Sequence, residues 1–203
     1  MCTIYSCALA YKKLLDVEYE FHIGHNNKET IIRLRFSKSE FRHLAGLHKL
    51  EDIRQAKLGS SETVFDFIVR GGDDVYKLWQ SSRYYAKLKR RLPPLHKLEN
   101  LFDRPIKIYG YEPRKNKLSV IHADFLFVLS DDSGNAFVFM VLTASEGHVS
   151  CCSIFEEGDI DFTRRQKRYA LLLQKKTVIS SGKSVVRVYN NAYADKIHAS
   201  PAQ

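Results

Sequence analysis

A chain of 203 residues, 44% hydrophobic and 27% charged, has the composition of one globular domain and excludes a disordered or low-complexity protein. No run approaches the ~18 apolar residues that a membrane-spanning helix needs, and the start "MCTIYSCALAYKK" lacks the basic opening of a secretory leader, so a cytoplasmic protein without a membrane partner is expected. Lys and Arg number 32 against 23 Asp and Glu, a formal charge of +9, which draws polyanions and makes nucleic acid the first partner to consider.

Residues 4–15 place Ile4, Cys7, Ala8, Tyr11, Leu14 and Leu15 on one face at helical spacing. Val17, Tyr19, Phe21 and Ile23 then alternate with Glu18, Glu20 and His22, and Ile32, Leu34 and Phe36 alternate with Arg33 and Arg35. That alternation predicts a hairpin turning at "HNNKE", with one apolar and one charged face. Ser37 and Glu40 form a capping box that starts a helix through "FSKSEFRHLAGLHKLEDI". Further helices are expected over 61–70 and 73–92, with Pro93-Pro94 as a break before a short helix ending at Leu101.

From Pro105 period two takes over, in strands read at 105–112, 118–130, 135–145, 148–157, 169–179 and 184–191, with "PRKNK", "DDSGN" and "SSGKS" as turns. Helices followed by strands make an α+β domain: an N-terminal hairpin and helices packed on a C-terminal antiparallel β-sheet, over 1–192, with a frayed tail at 193–203.

The helix after Ser37 carries an oddity. On a wheel of ~100° per residue with His43 at zero, Leu50, Leu47, Leu44 and Phe41 fall near roughly 340°, 40°, 100° and 160°. His43 and His48, the latter near roughly 140°, then both lie inside the apolar stripe. A histidine so placed is desolvated and its pKa falls, which suits a general acid or base and equally suits a histidine satisfied within a core. Gly46 costs about 1 kcal/mol relative to alanine in a helix, so another backbone or a ligand is expected to approach it closely.

Other motifs carry less. "SSGKS" has Thr177 where a phosphate-binding loop has its first glycine and reads as a turn. His22 and His25 have no cysteine or acidic cluster in sequence beside them, and the four cysteines, Cys2, Cys7, Cys151 and Cys152, have no CxxC spacing and read as reduced thiols. No metal and no cofactor are therefore expected. Two basic clusters, "RYYAKLKRRL" at 83–92 and "TRRQKRY" at 163–169, interleave tyrosines with cations, a combination that neutralises phosphates and stacks on unpaired bases.

The strings "FRHLAGLHKLEDI", "SSRYYAKLKRRLPPLHKLENLF", "HADFLFVL" and "SCCSIFEE" together resemble the phage-associated nuclease group of the Barnase, EndoU, colicin and RelE-like (BECR) fold, in its fourth subgroup. The subgroup's helix motif is matched by His43, Leu44, Gly46, Leu47, Lys49 and Leu50, with Asp52 following, and the likeness runs from Val17 to Thr177. Ser153-Ile154-Phe155 stands where the group has Ser or Thr followed by two phenylalanines, and the stretch after Asn190 has no counterpart.

The resemblance implies an endoribonuclease, a toxin-like or phage-derived hydrolase that drives a ribose 2′-OH onto the adjacent phosphate without a metal. That reaction needs a proton carrier and cations for the charge developing on phosphate. His43 is assigned the acid or base role, Lys49 and Arg165 phosphate stabilisation, and Ser153, Gln166 and Tyr169 positioning at the sheet rim. Lys87, Lys89, Arg90, Arg164, Gln166, Arg168 and Tyr169 form the expected RNA-binding surface. On a regular helix Lys49, near roughly 240°, points away from His43; sharing a site requires a break at Gly46. Expected partners are RNA and a cognate inhibitor or antitoxin protein. A non-catalytic RNA- or protein-binding module on the same fold is the competing reading.

Overall fold

The computed structural model describes residues 2–56, 59–116, 119–190 and Tyr193, with the backbone alone at 55, 73–76 and 78. The chain opens with helix α1 (Ile4–Leu14), whose start is closed by Thr3 and Ser6 bonding reciprocally to each other's backbone. Strands β1 (Val17–His25) and β2 (Lys28–Arg35) follow, joined tightly by Asn26 and Asn27. Both asparagines have positive φ, 49° and 60°, as a primed two-residue turn demands.

Helix α2 (Lys38–Leu44) begins at the expected box, the Ser37 amide donating to Glu40 Oε2 at 3.0 Å. It does not run on to Ile53 as the sequence suggested. Gly46 turns left-handed, φ 76°, and residues Leu47–Lys49 form a separate 3-10 turn. Helix α3 (Ser61–Gln80) merges two helical stretches across Gly72, which is not helical. The second stretch ends at Gln80 rather than Leu92, because Asp52 takes the next residues: its carboxylate accepts from Ser82 Oγ at 2.5 Å and from the Arg83 amide at 3.0 Å. Residues 85–88 make only a 3-10 turn. Pro93 and Pro94, expected as a break, lie in the first turn of helix α4 (Leu92–His96), where a missing N–H costs nothing. Helix α5 (Leu98–Phe102) follows directly.

The remaining strands are β3 (Lys107–Gly110), β4 (Phe125–Asp131), β5 (Gly134–Leu142), β6 (His148–Glu156), β7 (Lys167–Val178) and β8 (Ser184–Val188). Residues 119–124, read as strand, are not, and the tail beyond Tyr193 lies outside the described residues.

The α+β class stands, with a different sheet. The hairpin does not sit beside the C-terminal strands but completes them: β1 pairs with β7 and β2 with β6, so β1-β2-β6-β5-β4-β3-β7 close into a seven-stranded barrel and β8 extends from β7. The barrel is mixed, not antiparallel throughout, because β2 and β6 run parallel through Arg33 with His148 and Leu34 with Val149. Closure satisfies the amides and carbonyls that the hairpin and the sheet would each leave bare at their edges. Gly147 makes the junction possible: its amide oxygen accepts from the Arg33 N–H at 2.7 Å, its φ is 70°, and a Cβ there would stand 3.1 Å from the Ile31 carbonyl oxygen.

One face of the barrel wall packs on the helices. Phe102 of α5 lies among Tyr19, Phe21, Phe36 and Phe127, while Phe41 and Phe65 gather around Tyr11 of α1. Alternation along β4 and β5 sends Leu126, Val128, Phe137 and Phe139 to the other face. There the β6–β7 connection covers them with Ile160 and Phe162. No helix among the described residues is long and apolar enough to cross a membrane.

Candidate active site

The break at Gly46 sets the site. Phe41, Leu44, Ala45, Leu47 and Leu50 are all fully buried, so the core side of this segment matches the apolar stripe. The two imidazoles do not enter it. With the helix ended at Leu44, its buried face is Phe41 and Leu44 alone, and His43 lies outside it; His43 and His48 are exposed, with rings stacked at 4.5 Å and 9°. The turn at Gly46 brings Lys49 back toward His43, which a continuous helix would have prevented.

What approaches Gly46 is Arg91. A Cβ at residue 46 would lie 2.9 Å from Arg91 Cδ, so glycine meets both the left-handed φ and the side chain crossing it. Arg91 Nη1 is 3.3 Å from Ser153 Oγ, 3.4 Å from the Ile154 carbonyl and 3.5 Å from the Leu44 carbonyl. It thereby joins the end of α2 to strand β6. Its neighbour Arg90 is fixed to the same strand: the Glu156 amide donates to the Arg90 carbonyl and Arg90 Nη2 to the Glu156 carbonyl, both at 2.8 Å.

A hollow of about 350 Å³ opens beside these residues, lined by Lys49, Lys87, Arg90, Arg91, Phe155, Asp159, Ile160 and Phe162. Its floor is apolar and its rim cationic. The guanidinium carbons of Arg90 and Arg91 stand 6.0 and 5.8 Å from the centre of the Phe155 ring, and Lys87 lies 4.5 Å from that of Tyr84. None of the four cations has a carboxylate within ion-pair distance among the described residues.

The cations perturb one another. Desolvation and then the charges of Arg91 and Lys87 hold the Lys49 ammonium below its ordinary pKa. Desolvation, then Arg91 and Lys49, lowers His43; desolvation, then His43, Arg91, Lys49 and Arg42, brings His48 down to about 4. Because both rings remain largely solvent-exposed, the mutual repulsion is partly screened. The result is two neutral imidazoles beside a concentration of positive charge, an arrangement that accepts a proton once an anion relieves the repulsion.

Of the residues singled out from sequence, Lys49, Lys87 and Arg90 line this hollow; His43 is not on its lining and is linked to it through the charges of Arg91 and Lys49. Ser153 is buried, with its hydroxyl against Arg91, and so acts behind the hollow's wall. Lys89 is exposed outside the lining. The 163–169 cluster goes elsewhere, and only the residues just before it, Asp159 to Phe162, reach the hollow. Gln166 spends its amide on the backbone N–H and carbonyl of Glu112, at 3.0 and 3.2 Å. Arg164 and Arg165 are exposed, Arg165 with φ 61°, and no described contact takes either to Lys49 or His43. Arg168 and Tyr169 line a separate cleft with His25, Pro105 and Lys107.

Arg91 and His48 were missing from the sequence assignment. The tyrosine-rich basic run contained Arg91; at Gly46 another backbone or a ligand was expected, and the neighbour is this side chain instead. A larger hollow of about 490 Å³ between α4–α5 and β5–β6 carries Asp131, Glu156 and Glu157, with Lys97 already paired to Asp131, and does not suit a polyanion.

No curated protein and no solved structure matches the chain. The stacked histidines and the glycine that seats Arg91 fall within the span, residues 3–191, matched by one family model, and the chain belongs to that family, the phage-Barnase-EndoU-ColicinE5/D-RelE like nuclease 4 group.

Proposed function

We propose that this chain is an endoribonuclease that cleaves RNA by attack of a ribose 2′-OH on the adjacent phosphate, leaving a 2′,3′-cyclic phosphate. The observation that carries the reading is the pair of neutral, solvent-reachable imidazoles beside Lys49 and Arg91, two cations without carboxylate partners among the described residues. His43 takes the 2′-hydroxyl proton, a role open to it because Arg91 and Lys49 keep it neutral. The same cations then face the negative charge that grows on the phosphate oxygens. Ser153 and the Leu44 and Ile154 carbonyls hold Arg91 in place.

Asp159 is the one carboxylate on the lining, short of the oxygen set that a divalent cation takes, so charge neutralisation falls to the side chains and the reaction proceeds in chelator. Phe155 and Phe162 give a base a surface to stack on. RNA is the partner, and a toxin-like role gives it a cognate inhibitor that covers the cationic rim.

End-labelled RNA incubated with the purified protein in excess chelator tests this. Fragments ending in 2′,3′-cyclic phosphate from the wild type, and none from His43→Ala, are expected. Intact RNA that the protein nonetheless binds, across several RNA classes, would point instead to a binding module on the same fold.

A further inference from the structure

Where α1 packs on α4, three side chains converge that the nuclease reading does not use. Cys2 and Cys7 flank the start of α1, with sulfurs 3.4 Å apart. His96 ends α4, and its imidazole and the two sulfurs offer one ligand atom each, all within 4.8 Å of one another. The residues come from two elements nearly ninety positions apart in sequence and meet through the packing of α1 on α4.

Cys7 is fully buried and its thiol donates to the Leu92 carbonyl at 3.3 Å, Cys2 is half-buried, and His96 is exposed. One rigid sulfur, one movable sulfur and one free imidazole form a partly built ligand set with an open side to solvent. Among the described residues it is the one group of three or more cysteine, histidine and carboxylate ligands so placed.

We propose that Cys2, Cys7 and His96 form a site for a thiophilic divalent cation of the zinc class, with the fourth position left to water. Zinc bonds of ~2.3 Å to sulfur and ~2.0–2.1 Å to nitrogen place tetrahedral ligand atoms roughly 3.5–3.8 Å apart. The sulfurs, 3.4 Å apart, need to part by a few tenths of an ångström, and the His96 nitrogen, within 4.8 Å of them, needs to approach by at most about 1.3 Å, a movement that the exposed ring supplies. Two thiolates and a neutral imidazole suit zinc, and carboxylate-seeking magnesium or calcium do not fit the donor set. Binding displaces both thiol protons to solvent, so affinity rises with pH. A bound ion clamps α1 to α4, whose first residue follows Arg91, and its effect is stabilisation of the fold, independent of whether the hollow cleaves RNA.

The test is titration of the reduced full-length protein with Co²⁺ as the probe. One equivalent per chain, with a thiolate-to-cobalt charge-transfer band and tetrahedral visible bands displaced by Zn²⁺, is expected. The band persists in Cys152→Ser and is lost, or binding weakens about tenfold or more, in Cys2→Ser and in His96→Gln. Zn²⁺ is expected to raise the melting temperature of the wild type and not of Cys2→Ser, each compared with its own metal-free state. Absence of the charge-transfer band, its survival at undiminished affinity in either ligand variant, or its loss in Cys152→Ser would overturn the assignment. So would a Cys2–Cys7 disulfide in the oxidised protein with no cobalt bound to the reduced form. Cys2 and His96 are not fully buried, so these variants keep the core that Cys7→Ser would disturb.

Discussion

Gly46→Ala is the sharpest perturbation of the seat of Arg91. The backbone there has φ 76°, and the added Cβ stands 2.9 Å from Arg91 Cδ. Left-handed backbone costs a non-glycine residue about 1–2 kcal/mol. Carbon atoms rest at about 3.5–4.0 Å, so Arg91 Cδ must retreat by roughly 0.6–1 Å or the turn must open. The three contacts of Arg91 Nη1, at 3.3–3.5 Å, already sit at the long end for hydrogen bonds, and a shift of that size removes at least one of them, worth about 0.5–1.5 kcal/mol. Denaturant unfolding is therefore expected to show a loss of about 2–3 kcal/mol, within the 5–15 kcal/mol of a typical domain, so the variant still folds. Single-turnover RNA cleavage should fall about 10²-fold, the scale for displacing one donor to a developing oxyanion. Arg91→Lys, which carries no backbone strain, should lose a comparable share of cleavage with less than half of the stability cost. Gly46→Ala that is destabilised yet cleaves at the wild-type rate would refute the claim that this glycine exists to place Arg91 at the site.

Three further outcomes follow from the same geometry. Lys49→Ala should cut cleavage by about 10²–10³-fold while unfolding midpoints move by no more than about 0.5 kcal/mol, because the variant relieves repulsion from Arg91 and Lys87; wild-type activity would remove Lys49 from the mechanism. His48 titrates near 6.5 unfolded and about 4 folded, so the unfolded chain binds the proton first: stability is full above about pH 6.5 and declines as pH falls through about 4. His48→Asn should flatten urea midpoints across that window, and an unchanged slope would contradict the depressed pKa. Tyr19 buries a hydroxyl with no hydrogen-bond partner among the described residues, so Tyr19→Phe should raise stability by about 1 kcal/mol; a loss of that size in thermal and denaturant unfolding would show that the hydroxyl is satisfied.

Elements whose two faces differ in chemistry were legible in the sequence. Helix α1, the β1–β2 hairpin and the capping box at Ser37 all lie where the alternation and the cap residues put them, because local contacts decide them. Closure of the barrel was not legible. The parallel β2–β6 junction rests on two residue pairs more than a hundred positions apart, and edge hydrogen bonds leave no side-chain pattern. The wheel through His43 and His48 failed for one local reason: it assumed that the helix continues past Gly46. The glycine's expected helical cost and its expected backbone or ligand neighbour did not apply: Gly46 lies past the helix end with φ 76°, and what crosses it is the Arg91 side chain. The 163–169 cluster also misled. Its composition suggested a nucleic-acid surface at the site, but none of its residues is on the hollow's lining, and Gln166 is bonded to the Glu112 backbone.

The central claim is that the ribose 2′-OH is the nucleophile and that the hollow beside His43 works on it. The measurement that reaches it most directly is cleavage of one RNA sequence in chelator beside the same sequence carrying 2′-O-methyl groups throughout, with binding of both followed at matched salt. The account predicts cleavage of the first only, with 2′,3′-cyclic phosphate ends, and comparable binding of the two. Cleavage of the 2′-O-methyl strand would contradict it, since water or another nucleophile would then be attacking the phosphate.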